Sequence, residues 1–183
     1  MAELVDALDS KSSFRKEVRV RPPLRVPFIK KLNATIRRGR ESDMPALRDI
    51  INHYITNSVV TFEMVEMSLE NRQTWFTQFT NDGRHQLMVA ESNGEILGYA
   101  ASLRFLLRPA YAPSVMTSIY LRQDQVGKGI GQKMFEWAID CAKAQKAHVL
   151  QLTTDKKRPE ALHFYEKLGF RASHEGMKLH FKS

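Results

Sequence analysis

Three glycines spaced two apart, Gly127, Gly129 and Gly131, sit between an apolar run and an amphipathic one in SIYLRQDQVGKGIGQKM, residues 118–134. No other feature constrains the fold as much. A strand must end here, turn through backbone conformations that side chains disfavour, and open a helix. Glycine-rich loops at helix starts let backbone N–H groups close on an anion, and the helix dipole adds positive potential there. The spacing does not fit the dinucleotide fingerprint G-x-G-x-x-G. Gly129 after Gly127-Lys128 rules out the Ser/Thr that a P-loop requires. A bare strand-to-helix turn would use the same glycines, so the flanks decide.

Those flanks predict an α/β chain. Thr35–Arg38 is a strand, and Ser42 or Asp43 caps a helix with Pro45 in its first turn and Leu47, Ile50, Ile51 and Tyr54 on one face. Ser68 caps a second helix. Gln86–Glu91 and Glu95–Phe105 form a hairpin around Ser92-Asn93-Gly94, and Val115–Leu121 is a further strand. Gly129–Ala144 is a helix with Met134, Trp137, Ala138 and Cys141 facing inward. His148–Thr153 is a strand, Arg158–Leu168 a helix stopped by Gly169, and Phe170–Phe181 a final strand. The order implies a βαβ core with an antiparallel approach.

At 183 residues the chain fits one folded domain, without a spanning apolar run. Its single cysteine, Cys141, excludes an intrachain disulfide and suits a reducing, cytoplasmic location. No zinc-ligand spacing occurs, so no metal is expected. The net charge of +8 suggests nucleic acid at first sight. However, residues 1–40 hold 11 Lys/Arg against 4 Asp/Glu, and residues 41–183 hold 17 against 16. The basicity belongs to an N-terminal arm, so neither nucleic acid nor membrane is an expected partner.

That arm, MAELVDALDSKSSFRKEVRVRPPLRVP, resembles the conceptual translation of a tRNA gene. Leu8–Ser13 can be encoded so that CTGGA and TCCAG pair around a loop, and Val18–Leu24 so that GCGGG and CCCGC pair around TTCGACC. Phe14–Glu17 allows a variable arm between them, and Val26-Pro27 a terminal CCA. Residues 1–34 are therefore expected to be a disordered extension, with residues 1–27 arising from a misplaced start codon. The folded domain is expected over 35–183. The nucleotide sequence tests the idea: if the stems do not pair in the real codons, it fails.

IYLRQDQVGKGIGQKM followed by TTDKKRPEALHFYEKLGF resembles the GNAT family of acyl-CoA-dependent N-acetyltransferases. IINHYITNSVVTFE, SLENRQTWF and RPAYAPSVMTSIYL are similar to its phosphinothricin and methionine-sulfone branch. The resemblance implies a GNAT fold, a central mixed twisted sheet flanked by helices with splayed strands at the acyl-CoA site. It also implies acetyl-CoA as cosubstrate, a small-molecule primary amine as acceptor, direct attack in a ternary complex, and a homodimer.

Site residues follow from the same resemblance. Val126, Gly127, Lys128, Gly129, Ile130, Gly131 and Gln132 would hold the pyrophosphate through backbone amides. Ile119, Tyr120 and Leu121 would offer backbone groups to pantetheine and thioester. Tyr165 would protonate the departing thiolate, and Arg158 would touch pantetheine or phosphate. Two departures stand out. Val126 replaces the usual Arg or Gln, which implies weaker cofactor binding. Met116 occupies the position where relatives carry a glutamate, so the base must be Glu63, His53 or a water held by carbonyls. Arg104 and Arg108 could pair an acceptor carboxylate, with Tyr111, Trp75 and Phe62 lining the pocket. Two alternatives remain beside this reading: an acyl-CoA-binding module without turnover, and a peptide or protein N-acetyltransferase.

Overall fold

The computed structural model describes the backbone of residues 2–5 and residues 34–179. The described residues fall into two compact units, divided between Thr153 and Thr154. The first unit is a six-stranded sheet with helices. Its strands are β1 (Ala2–Val5), β2 (Thr35–Arg38), β3 (Leu87–Ser92), β4 (Glu95–Arg104), β5 (Val115–Leu121) and β6 (Leu150–Thr153). Its helices are α1 (Met44–Asn57), α2 (Leu69–Phe76) and α3 (Ile130–Ala144). Spatial order is β2-β3-β4-β5-β1-β6. Strands β2 to β5 pair antiparallel, whereas β1 lies parallel to both β5 and β6, giving the expected mixed sheet.

Local chemistry accounts for most of this. The β3–β4 turn uses Asn93 at φ 52° and Gly94 at φ 81°, the two positive dihedrals of a tight hairpin. Strand β4 is buried without interruption from Leu97 to Ser102, because helices cover both faces. On one face Met44, Leu47 and Ile50 of α1 pack with Val89, Tyr99 and Ala101. On the other, Ile130 and Met134 of α3 pack with Ala90, Leu97 and Ala100. Ser68 caps α2 as expected, its Oγ accepting the Asn71 N–H at 3.1 Å.

Gly98 sets how closely β4 approaches β5. A Cβ there would lie 2.5 Å from Leu121 Cδ2 and 2.7 Å from the Tyr120 carbonyl oxygen. Gly98→Val is therefore expected to destabilise the protein by about 2–3 kcal/mol, the range of overpacking. Denaturant unfolding measures it, and a change under 0.5 kcal/mol would show that β5 can give way.

Three features differ from the sequence expectations. Asp43 precedes α1 but does not cap it: its carboxylate accepts the Arg40 N–H at 2.7 Å and both terminal nitrogens of Arg37 at 2.8 and 2.9 Å. The capping role yields to a bidentate ion pair joining β2 to the helix start. Ala2–Val5 belongs to the N-terminal segment expected outside the fold, yet forms β1 between β5 and β6, where parallel edges carry unpaired backbone groups. Residues 6–33 of that segment lie outside the described residues. The last strand expected over Phe170–Phe181 is absent through Leu179, and residues 180–183 lie outside the described residues. Every residue from Arg171 to Leu179 is exposed, and only Met177 and Leu179 alternate as apolar positions, too short a run to fix a strand.

The second unit is built on α4 (Pro159–Lys167), with Pro159 at its first position and Gly169 at φ 94° after its end. Lys156 pairs with Glu175 at 2.5 Å and Lys178 with Asp155 at 3.7 Å.

Candidate active site

The glycine loop joins β5 to α3. A short helical turn, Gln123–Gln125, leads through extended Val126 into Gly127 at φ 80° and Gly129 at φ 81°, directly before Ile130. A Cβ at either glycine would meet nothing within 4 Å. Their dihedrals demand glycine, and the space before them is open. Gly131 differs. A Cβ there would meet only Leu121 Cδ1 at an ordinary 3.6 Å, so nothing inside the chain requires glycine at 131. The first-turn N–H groups of α3 have no carbonyl partner within the helix, which leaves them for an anion.

The loop's side chains are held in place. Arg122 grips Asp124 with Nε at 2.7 Å and Nη2 at 2.9 Å, and reaches Glu95 at 3.2 Å. Hydrogen bonding to Arg122 opposes a small desolvation effect and holds the Asp124 carboxyl at about 2. Gln125 is buried and cannot serve as an outward phosphate ligand; its Oε1 accepts from Lys128 Nζ at 3.3 Å. Lys128 is thereby tied to the loop as its exposed cation, while Val126 presents a half-exposed apolar side chain.

Beside the loop, β5 has an edge that no described strand pairs with beyond Met116. Its antiparallel register with β4 places Arg122 N–H on the Leu97 carbonyl at 2.8 Å and Phe105 N–H on the Ser114 carbonyl at 3.3 Å. Even-numbered β5 residues therefore hydrogen-bond to β4, and the N–H and C=O of Thr117, Ile119 and Leu121 point the other way. On that other side β1 pairs with β5 only at Val115 and Met116, while it follows β6 along all four of its residues. Among the described residues, the pairing of β5 with β1 ends at Met116. Ile119 offers its N–H and carbonyl to the wedge and Leu121 its N–H, since the Leu121 carbonyl accepts from the Tyr54 hydroxyl. Tyr120 does not, because its backbone is engaged with Tyr99.

The Tyr120 side chain sits on the α1/α2 face, in an aromatic cluster. Its ring lies 5.5 Å from Tyr99 and 5.4 Å from Tyr54, whose hydroxyl donates to the Leu121 carbonyl at 2.7 Å. Burial pushes the Tyr120 phenol upward; a hydrogen bond with Thr61 and the Arg72 charge oppose this, and Glu63 adds to it. Glu63, exposed on the loop after α1, is within electrostatic reach of the Tyr120 hydroxyl. His53 is also exposed, stacked edge-on against Tyr54 at 5.7 Å. Met116 is half-buried on the same face as Tyr120.

Sequence reasoning passed over Arg72. It is 5% exposed on α2, with its guanidinium 3.6 Å from the Trp75 ring centre and 5.4 Å from that of Tyr99. An arginine three residues before a tryptophan on a helix was the available signal. Trp75 is accordingly part of this packed layer, whereas Phe62 is 73% exposed.

Arg104 and Arg108 are not brought to this cluster. Arg104 pairs with Val115 at the start of β5, about 17 Å along the strand from Tyr120. Its Nε and Nη2 donate to the Leu106 and Leu107 carbonyls, both at 3.0 Å, so its fork is taken up by its own loop. Arg108 is exposed, and Tyr111 packs edge-on against Phe105 at 5.4 Å. A cavity of about 290 Å³ also lies toward that end, between Val115, Thr117, Trp137 and Cys141, away from the glycine loop. It is not the cradle that the loop forms. Among the described residues no group of His, Cys, Asp and Glu could hold a metal, and no helix is long and apolar enough to cross a membrane.

In the second unit, Tyr165 is buried, with ring contacts to Phe164 at 5.3 Å and Phe170 at 6.0 Å. Its carbonyl accepts the Phe170 N–H at 3.1 Å, which closes the turn after α4. Arg158 directly precedes α4 and is half-buried.

Comparison with known proteins agrees with this geometry. The profile of the Acetyltransferase (GNAT) family matches residues 47–170. A phosphinothricin N-acetyltransferase of Streptomyces coelicolor is 32% identical over 74% of this chain and 81% of its own length. An L-methionine sulfoximine/L-methionine sulfone acetyltransferase of Pseudomonas paraeruginosa is 30% identical over 78% and 83%. The crystal structure of a GNAT superfamily phosphinothricin acetyltransferase from Sinorhizobium meliloti, in complex with AcCoA, superposes with a TM-score of 0.64 at 26% identity, covering 78% of this chain and 77% of that one. The family profile covers the glycine loop, β5, α3 and α4 within residues 47–170, and the chain belongs to the GNAT family of acetyltransferases.

Proposed function

We propose that the protein is an N-acetyltransferase that moves acetyl from acetyl-CoA to the primary amine of a small molecule of the amino acid analogue type. The observation that carries this is the open glycine loop at the foot of the β5 edge, Gly127 and Gly129 facing empty space beside first-turn N–H groups. Relatives named for phosphinothricin and for methionine sulfone support the acceptor class.

Acetyl-CoA supplies an activated acyl carbon and a thiolate leaving group. Backbone amides from Val126 to Gln132 would hold its pyrophosphate, helped by the Lys128 charge and with Arg158 as a further contact. An N–H of Ile119 or Leu121 would face the thioester oxygen and stabilise its developing negative charge. Glu63 takes the ammonium proton before attack. The nitrogen then gains the acyl carbon, the carbon–sulfur bond breaks with its electron pair leaving on sulfur, Tyr165 gives that sulfur a proton, and the proton that the new amide nitrogen sheds returns through water to the Tyr165 oxygen. The enzyme is read as cytoplasmic and homodimeric, with exposed Phe62, Met64 and Val65 favouring a covered face; sedimentation tests the dimer.

Glu63→Gln is expected to lower kcat about 100-fold. An unchanged kcat would move the base role to His53 or to a carbonyl-held water. A second reading, an acyl-CoA-binding module without turnover, is favoured by Met116, which cannot accept a proton. Thiol release from acetyl-CoA with methionine sulfone, phosphinothricin, polyamines and short peptides separates the readings. Transfer to an amino acid analogue supports the enzyme, and transfer to peptides alone changes the substrate class. Acetyl-CoA binding without transfer to any amine favours the module.

A further inference from the structure

Arg72 presents an energetic puzzle that packing does not resolve. Its Nε and Nη2 are fully buried and find no hydrogen-bond partner among the described residues. No carboxylate there pairs with its charge; its neighbours are the Trp75 indole and the Tyr99 phenol. A guanidinium keeps its proton even when burial lowers its affinity for it, as burial does here. Cation–π contact and a hydrogen bond to the Tyr99 phenol return only part of the desolvation cost. A hydrophobic side chain of similar length would suit the layer better, so stability does not explain an arginine.

Position does. Tyr99 and Tyr120 are direct cross-strand partners, and Tyr120 lies between Ile119 and Leu121, the two residues whose backbone groups face the wedge. Resting on the N-acetyltransferase reading above, we infer that Arg72 is an unpaired internal cation retained for catalysis. From beneath β5 it favours the negative charge that acyl transfer places on the thioester oxygen and then on the departing sulfur. Arg72 acts across the Tyr99–Tyr120 layer without touching substrate. A unit charge at that range, in an interior of intermediate dielectric, is worth about tenfold in rate.

The test compares the full-length protein with Arg72→Met and Arg72→Lys. Each is assayed with the best acceptor from the amine panel and with the same amine lacking its carboxylate, for methionine sulfone 3-(methylsulfonyl)propylamine. Arg72→Met is expected to lower kcat about tenfold for both acceptors, to leave both KM values within about twofold, and to keep or raise Tm. Arg72→Lys is expected to recover most of the rate. Falls in Tm and kcat together would make Arg72 structural and overturn the inference, as would an unchanged kcat. A loss confined to KM of the carboxylate-bearing acceptor would make it a substrate anchor instead. Wild-type protein that transfers to no amine would overturn the enzyme reading itself, before any variant is compared, and this role with it.

Discussion

Gly129→Val is expected to lower acetyl-CoA affinity at least 100-fold, the largest effect of any single substitution in the loop. Two costs combine. At φ 81° a β-branched residue is forced into the left-handed region, at about 1–2 kcal/mol. Its side chain would also enter the open space that the phosphate needs, in front of the first turn of α3. Gly131→Ala separates these costs. Its Cβ would touch only Leu121 Cδ1 at 3.6 Å, so Tm is expected to hold. If the backbone at 131 meets the pyrophosphate closely, affinity still falls about tenfold, about 1.4 kcal/mol. Calorimetric titration with acetyl-CoA, beside thermal melts, reads both variants. Full affinity in Gly131→Ala would show that the cofactor keeps its distance there. Full affinity in Gly129→Val would remove the loop from the site.

What the sequence disclosed depended on how local each signal was. The strand Val115–Leu121 is legible because its ends are punctuated: Pro113 before it and the glycine loop after it. The loop is legible because positive φ leaves few residue choices at 127 and 129. The Asn93-Gly94 turn is legible for the same reason. Asp43 was misassigned because an acidic residue before a helix has two uses, and only the fold shows that Arg37 lies within reach. The terminal strand failed because a ladder is decided by partners far away in sequence, and the segment after Phe170 lacks an apolar face to bury. Arg72 and Glu63 come within electrostatic reach of Tyr120 from separate elements, a convergence that no spacing encodes. The arginine pair at 104 and 108 looked suitable by chemistry alone. The hydrogen bonds of Arg104 to its own loop show why composition cannot stand in for geometry.

Tyr165→Phe is expected to reduce kcat about 100-fold. The substitution keeps the ring, hence its edge contacts with Phe164 and Phe170 and the apolar area it buries. It removes only the hydroxyl. A tyrosine that merely fills α4's inner face would therefore keep its kcat. A tyrosine that protonates the thiolate would not, because the sulfur would then have to leave as an anion or borrow a proton from water. A solvent isotope effect distinguishes this from a packing defect. Proton delivery to sulfur should give the wild-type kcat a solvent isotope effect that the phenylalanine variant changes. A modest loss with that effect unchanged would assign Tyr165 to the core. Acceptor KM should stay within about threefold, since a proton delivered after attack contributes nothing to holding the amine. A rise in KM with kcat intact would place the hydroxyl on the substrate instead, a role that its position in HFYEKLGF alone does not exclude.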